Sequence, residues 1–136
     1  MKAPLTLEQQ RAQFAWQAVM ATRAKVSPFD DFKNLAKGSP ALIMGSGLMA
    51  SLAFYKSRKK DHADVLNQCI LDWLAERFKD SPHYCRPSLP KGFDDSMQRL
   101  LDAPPAFYMQ ATDEVLALLK WLRQFADALA ADEPVH

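Results

Sequence analysis

Ser39–Lys60 reads SPALIMGSGLMASLAFYKSRKK, and the way this stretch is read decides the fold. From Pro40 to Tyr55 no residue is charged, and apolar side chains fall on every side of a helical wheel. A helix that is apolar all round has to be surrounded by other helices, so the stretch is predicted to be the buried central strut of a bundle. Ser39 suits the N-cap of that helix and Pro40 its first turn, where no amide partner is needed. Gly45, Gly47, Ala50, Ser51 and Ala53 are small enough to let neighbouring backbones approach. Charge arrives abruptly as Lys56, Arg58, Lys59 and Lys60, cations that suit the negative end of a helix. A membrane span is the poorer reading, because the uncharged run falls short of roughly 20 residues and contains two glycines and two serines.

Upstream, Thr6-Leu-Glu-Gln9 forms a capping box, which opens a first helix. Leu7, Phe14, Ala15, Ala18 and Thr22 gather on one side of it, with Arg11 among them, and that stripe is expected to face the strut. Trp16 and Met20 lie on the opposite side. Two readings of them stand: a second core contact under a neighbouring helix, or an exposed anchor for a partner, since Trp and Met are enriched at interfaces. The helix ends in Arg23 and Lys25. Ser27-Pro28-Phe-Asp-Asp31 starts a second, shorter helix carrying Phe29, Phe32, Leu35 and Ala36, which Gly38 is expected to stop. Lys33 and Lys37 sit one turn apart on its outer side.

Downstream, Asp61 opens a helix to about Phe78, with Val65, Leu66, Cys69, Ile70 and Trp73 as its core stripe. Residues 80–91 contain Pro82, Pro87 and Pro90, which exclude a regular helix. A short helix from Phe93 to Asp102 follows. A last helix from about Ala106 to Ala131 carries Tyr108, Ala111, Val115, Leu118, Leu119, Leu122, Ala126 and Leu129, and residues 132–136 are expected to fray. No stretch alternates with period two. The fold class is therefore all-α: one domain over residues 1–136, a bundle of five to six helices around a buried central helix.

Composition agrees with this. Hydrophobic residues at 49% and charged residues at 24% fit a globular chain rather than a disordered one. Two cysteines make no disulfide framework, which points to a reducing compartment. The N-terminal MKAPLTLEQQ lacks the apolar core of a signal peptide. The net charge of +1 hides an asymmetry: residues 1–60 hold ten Lys and Arg against three acids, and residues 61–136 hold seven against thirteen. Such a split suits a nucleic-acid face or head-to-tail packing between copies, unless folding interleaves the halves.

Catalytic chemistry is not visible. Cys69, His83 and Cys85 are three candidates where structural zinc wants four ligands in paired spacings, so no metal is expected. A Cys85–His83 nucleophile pair two residues apart in a proline-rich loop has no scaffold to hold it. Asp94-Asp95 and Asp113-Glu114 are adjacent on helices and diverge, so neither makes an acid/base dyad. Gly45-Ser-Gly47 lacks the lysine of a phosphate-binding loop. The expectation is no catalytic residue, no cofactor and no small-molecule substrate.

Three segments together carry a resemblance: LEQQRAQFAWQAV (Leu7–Val19), PALIMGSGLMASLAFYKSR (Pro40–Arg58) and DEVLALLKWLRQFADAL (Asp113–Leu129). In that order and spacing the chain resembles the small-subunit family of the type III-B CRISPR effector, the fifth Cmr protein of the RAMP module. Residues 80–105 lie outside the resemblance. It implies a non-enzymatic cytoplasmic protein that stacks along the backbone subunits of an RNA-guided complex and lines the path of the guide–target duplex. Implied partners are the backbone and large subunits, further copies of itself, and guide and target RNA. Such a task needs cations for phosphates rather than groups that read bases, because the guide supplies recognition. Helix-end clustering then marks Arg23, Lys25, Lys37, Arg58, Lys59 and Lys60 as phosphate contacts, with Lys33 a weaker member. Trp16 and Met20 are marked for the partner interface. The competing reading is a helical adaptor that binds protein alone, its basic clusters merely solvated.

Overall fold

A computed structural model of the chain describes residues 3–130, and the expected fraying of residues 132–136 lies outside them. Among the described residues six helices form an all-α bundle: α1 (Leu7–Lys25), α2 (Phe29–Ser46), α3 (Leu48–Arg58), α4 (Asp61–Arg77), α5 (Gly92–Asp102) and α6 (Pro105–Ala130). The capping box forms as its sequence predicts. Thr6 accepts from the Gln9 amide at 3.1 Å, and the Gln9 side chain takes the Thr6 amide at 2.9 Å.

The Ser39–Lys60 stretch departs from expectation. It is not one helix but the end of α2, a turn at Gly47, and α3. Gly38 stops nothing, and Pro40 lies inside α2. The reason is packing: Phe29, Phe32, Ala36, Ser39 and Ile43 are buried at three- and four-residue spacing straight across the Gly38–Pro40 segment. Burial of that stripe outweighs the one backbone hydrogen bond that proline forfeits. Ser39 is not a cap. Its fully buried hydroxyl donates to the Leu35 carbonyl at 2.7 Å and lies 2.7 Å from the Tyr55 hydroxyl, tying α2 to α3.

The break falls at Gly47, whose φ of 91° and ψ of 161° belong to a region that side-chain-bearing residues avoid. Its amide closes α2 on the Ile43 carbonyl at 2.8 Å. The Tyr108 hydroxyl then accepts from the Met49 amide at 3.0 Å, satisfying one of the orphan donors at the start of α3. Nor is the stretch apolar-and-buried all round. Met44 is 77% exposed and Phe54 47%, and Gly45, Ala50 and Ala53 face outward rather than admitting a neighbour.

The packing hub is α6, which meets α1, α2 and α4. Its buried side runs Phe107, Ala111, Glu114, Val115, Leu118, Leu119, Leu122, Ala126 and Leu129, one residue per turn or better over the whole helix. Each fully buried leucine in this set contributes about 1.5–3 kcal/mol of transfer free energy. From α4 come Leu66, Ile70, Trp73 and Leu74, from α3 Leu48 and Leu52, and from α1 Ala15 and Val19.

Residues 80–91 are irregular, as the prolines require, yet anchored. Tyr84 and Cys85 are buried, and Arg99 of α5 donates to the carbonyls of Tyr84 (2.6 Å) and Ser88 while pairing with Asp95.

Cross-element contacts fix the helix directions. Phe14 meets Trp73 while Lys25 shares a groove with Asp64, so α1 and α4 are antiparallel. Tyr108 meets Gly47 and Met49 while Arg123 and Asp127 line one cleft with Lys37 and Lys33, so α2 and α6 are antiparallel as well. Ser39 opposite Tyr55 runs α3 back along α2. One end of the bundle therefore gathers the end of α1, the start of α2, the α3–α4 junction and the end of α6. The other gathers the α2–α3 turn, the end of α4 and the start of α6.

Candidate functional site

The gathered helix ends bring Arg23, Lys25, Arg58, Lys59 and Lys60 to one end of the molecule, with Lys33 and Lys37 on the flank below. Arg23 and Lys25 close α1, whose last turn is sealed by the Val26 amide on the Thr22 carbonyl at 2.9 Å. Lys59 ends α3 in the left-handed conformation (φ 55°, ψ 41°), and Lys60 turns the chain into α4, its carbonyl accepting from the Asp64 amide at 2.9 Å. The Arg58 guanidinium lies 5.6 Å from the centre of the exposed Phe54 ring, a cation–π pairing at a solvated edge. Lys56 rests likewise at 5.6 Å over Phe93 of α5.

Acids stand among these cations, because the same end holds the N-termini of α2 and α4. Asp30 and Asp31 open α2, and Asp61 and Asp64 open α4, each suited to a positive helix terminus. Lys25 in particular shares a groove of about 540 Å³ between α1 and α4 with Asp64 and Asp72, above a floor of Phe14, Ala18 and Cys69. The two halves of the sequence thus interleave here rather than standing apart. Lys33 leans toward Asp30 at 3.8 Å, whereas Lys37 shares a small cleft with Arg123 and Asp127 of α6. Arg123 lies outside any basic cluster in the sequence; only the antiparallel packing of α2 and α6 brings it beside the two lysines.

Arg11 has a different fate from the other cations of its half. Its guanidinium donates to both oxygens of Glu114, at 2.6 and 2.8 Å, and Trp73 donates its indole N–H to the same carboxylate at 3.1 Å. Arg77 stands 3.4 Å from Glu114 without an aligned hydrogen bond, its guanidinium carbon 4.9 Å from the centre of the Phe78 ring. Burial works to raise the Glu114 pKa, but the bonds from Arg11 and Trp73 and the two nearby arginines outweigh it and hold the carboxyl below its ordinary value. The same contact raises the Arg11 pKa. This cluster ties α1, α4 and α6 together. Sequence alone marks Arg11 on the core-facing stripe without its partner, and it shows Glu114 only as a neighbour of Asp113.

Trp16 is packed and exposed at once. Its ring meets Phe125 of α6 edge-on at 5.2 Å, Phe125 continues to Trp121 at 5.6 Å, and yet Trp16 keeps 43% of its surface exposed. Met20, one turn on, is exposed beside it.

The residues weighed for metal or nucleophilic chemistry are spoken for elsewhere. Cys69 is buried on α4, and burial pushes its thiol up to about 12. The Cys85 Sγ lies 3.6 Å from the Ala75 carbonyl, and His83 rests 5.7 Å from the Phe107 ring. Among the described residues no three His, Cys, Asp or Glu side chains converge as metal ligands, and no helix is long and apolar enough to cross a membrane. Asp95 turns to Arg99 and to the Lys91 amide, away from Asp94.

Fold and surface together define a small all-α bundle with cationic helix termini at one end and aromatic groups open on the α1–α6 face. The family model described as CRISPR-associated protein (Cas_Cmr5) matches residues 7–129, nearly the whole chain. The chain therefore belongs to the Cmr5 family of CRISPR-associated proteins. The CRISPR system Cmr subunit Cmr5 of Thermus thermophilus is 27% identical over 124 residues, covering 91% of this chain and 96% of that protein. The crystal structure of a Cmr5 family protein from Thermus thermophilus superposes with a TM-score of 0.69 at 28% identity, over 93% of this chain and 98% of that one.

Proposed function

We propose that this protein is a non-catalytic small subunit of a type III-B Cmr effector, stacking along the backbone subunits and lining the path of guide and target RNA in antiviral defence. In this reading it works in the cytoplasm, without a cofactor or small-molecule substrate. Its partners are the backbone and large subunits, further copies of itself, and RNA. The family match over residues 7–129 carries the reading. The gathering of Arg23, Lys25, Arg58, Lys59 and Lys60 at one end, with Lys37 on the flank midway along α2, supports it at residue level, and Lys33 is a weaker member because Asp30 engages it. The chemistry asked of these residues is modest: ammonium and guanidinium groups displace counterions from phosphates, and sequence is left to base pairing.

Replacing Arg58, Lys59 and Lys60 together by alanine in the reconstituted complex is the test. RNA retention is expected to weaken, and the slope of log K against log salt to flatten by about 2–3, at roughly 0.7–0.9 for each of three lost phosphate contacts. An unchanged slope removes these residues from the path. Trp16 and Met20 are the proposed contacts with neighbouring protein. Trp16→Ala is expected to lower the occupancy of this subunit in the complex, and full occupancy would count against that role.

One observation favours the protein-only adaptor instead: Asp30, Asp31, Asp61 and Asp64 lie among the cations and reduce the positive potential an RNA would meet. The same salt titration decides, since an adaptor shows no RNA-dependent slope to lose.

A further inference from the structure

The cleft between α2 and α6 is lined by Lys33, Lys37, Arg123, Gln124 and Asp127. We infer that it is a seat for one phosphate group of the RNA backbone, with Arg123 as its principal ligand; the inference rests on the RNA-contacting reading above. Three cations line it with one carboxylate, Asp127, although Lys33 also leans toward Asp30 at 3.8 Å. Lys33 and Lys37, one turn apart on α2, point along the same face, and Arg123 approaches from the antiparallel α6. Among the described residues neither Lys37 nor Arg123 makes an ion pair, so the cleft keeps a net positive charge.

Size selects the ligand. The cleft holds about 90 Å³, well below the roughly 300 Å³ and more usual for pockets that enclose a whole small-molecule ligand, so its size suits one tetrahedral phosphate. The chemistry fits as well: a guanidinium grips two phosphate oxygens at once, lysines add point charge, and the Gln124 amide is a neutral donor. Asp127 opposes the anion and, in its absence, offsets repulsion among the three cations. The cleft lies toward the same end of the bundle as Arg58–Lys60.

The α1–α4 groove is larger but fits the role less well, because Asp64 and Asp72 place two carboxylates beside its single lysine.

The test uses the complex reconstituted with its other subunits and a salt titration of RNA retention, with Arg123→Ala and Asp127→Asn. Both residues are exposed, so neither change threatens the fold. Arg123→Ala is expected to lower the salt slope by about 0.7–0.9 and Asp127→Asn to tighten RNA several-fold. Inorganic phosphate alone, titrated into the isolated protein, is expected to bind only at millimolar concentration. If both variants leave RNA retention unchanged while the Arg58/Lys59/Lys60 variant alters it, the cleft is not on the RNA path and the broader reading survives. If all three leave it unchanged, both fall. Micromolar binding of inorganic phosphate that is lost in Arg123→Ala, with no change in RNA slope, would reassign the cleft to a free anion and overturn the inference.

Discussion

The two ends of this bundle are built from the same helices and differ in what they leave at the surface. At one end lie Arg23, Lys25, Arg58, Lys59 and Lys60, interspersed with the aspartates that open α2 and α4. At the other, around the α2–α3 turn and the start of α6, the exposed apolar groups are Met44, Leu101 and Met109, at 77%, 62% and 67%, and the Glu76–Lys79 pair at the end of α4 balances its own charge. Helix polarity accounts for part of the contrast. α1 and α3 finish at the cationic end with basic last turns, whereas α2 finishes at the other end with none and the Arg77 that ends α4 there is turned to Glu114. Toward that second end, where α4 finishes, the buried Glu114 pairs with Arg11 and lies beside Arg77. The cations of the first half therefore do two kinds of work: Arg11 secures the bundle, while Arg23, Lys25, Lys37, Arg58, Lys59 and Lys60 stay at the surface.

The largest effect is expected at that buried carboxylate. Glu114→Ala leaves Arg11 and Arg77 without their counter-charge and Trp73 without its acceptor, and loses about 3–5 kcal/mol, measured as a lower midpoint in urea. Acid does the same by protonation. Because Glu114 has a folded pKa below its unfolded value, its contribution is fully present above the ordinary glutamate pKa of about 4.3 and is lost as pH falls through the folded value. Wild-type stability should therefore drop in that acid range more than that of the variant. Equal acid sensitivity would mean that the cluster is not a distinct element of stability.

Two positions with positive φ, one at each end, sharpen the comparison. Gly47→Ala at the apolar end is expected to cost about 1–3 kcal/mol, through the backbone and not through crowding, since an added Cβ would meet only the Tyr108 hydroxyl at an ordinary 3.7 Å. Lys59→Gly at the cationic end has the opposite sign. It relieves a left-handed lysine and is expected to stabilise by up to about 1 kcal/mol while removing one cation. Thermal unfolding beside RNA retention reads both: more stable yet weaker-binding is the predicted pairing, and a variant that binds RNA as tightly as wild type would take Lys59 off the path.

Much of this architecture was legible in the chain because the signals are local. The Thr6–Gln9 box, the basic finish of α1, the proline-rich irregular segment and the apolar stripe of α6 each follow from residues within a few positions of one another. The Ser39–Lys60 stretch misleads for the same reason. Gly38, Ser39 and Pro40 look like a stop and a restart, whereas the buried series Phe32, Ala36, Ser39, Ile43 runs through them without losing register. The true interruption at Gly47 depends on Tyr108, far along the chain, to satisfy the Met49 amide. The site was legible only as far as clustering goes. Arg58–Lys60 are adjacent in sequence and Lys33 and Lys37 one turn apart, so they declare themselves. Arg123 and the Arg11–Glu114 pair are assembled by packing between distant helices, and no short window of sequence holds both partners.

The central claim is that RNA passes the cationic end of the bundle and not the apolar one. A photoreactive amino acid placed at Lys59 in the assembled complex, with Met109 as the control at the far end, tests it by position. The account predicts RNA adducts from position 59 and none above background from position 109. Protein-only adducts from position 59, or RNA adducts of equal yield from both, would contradict it.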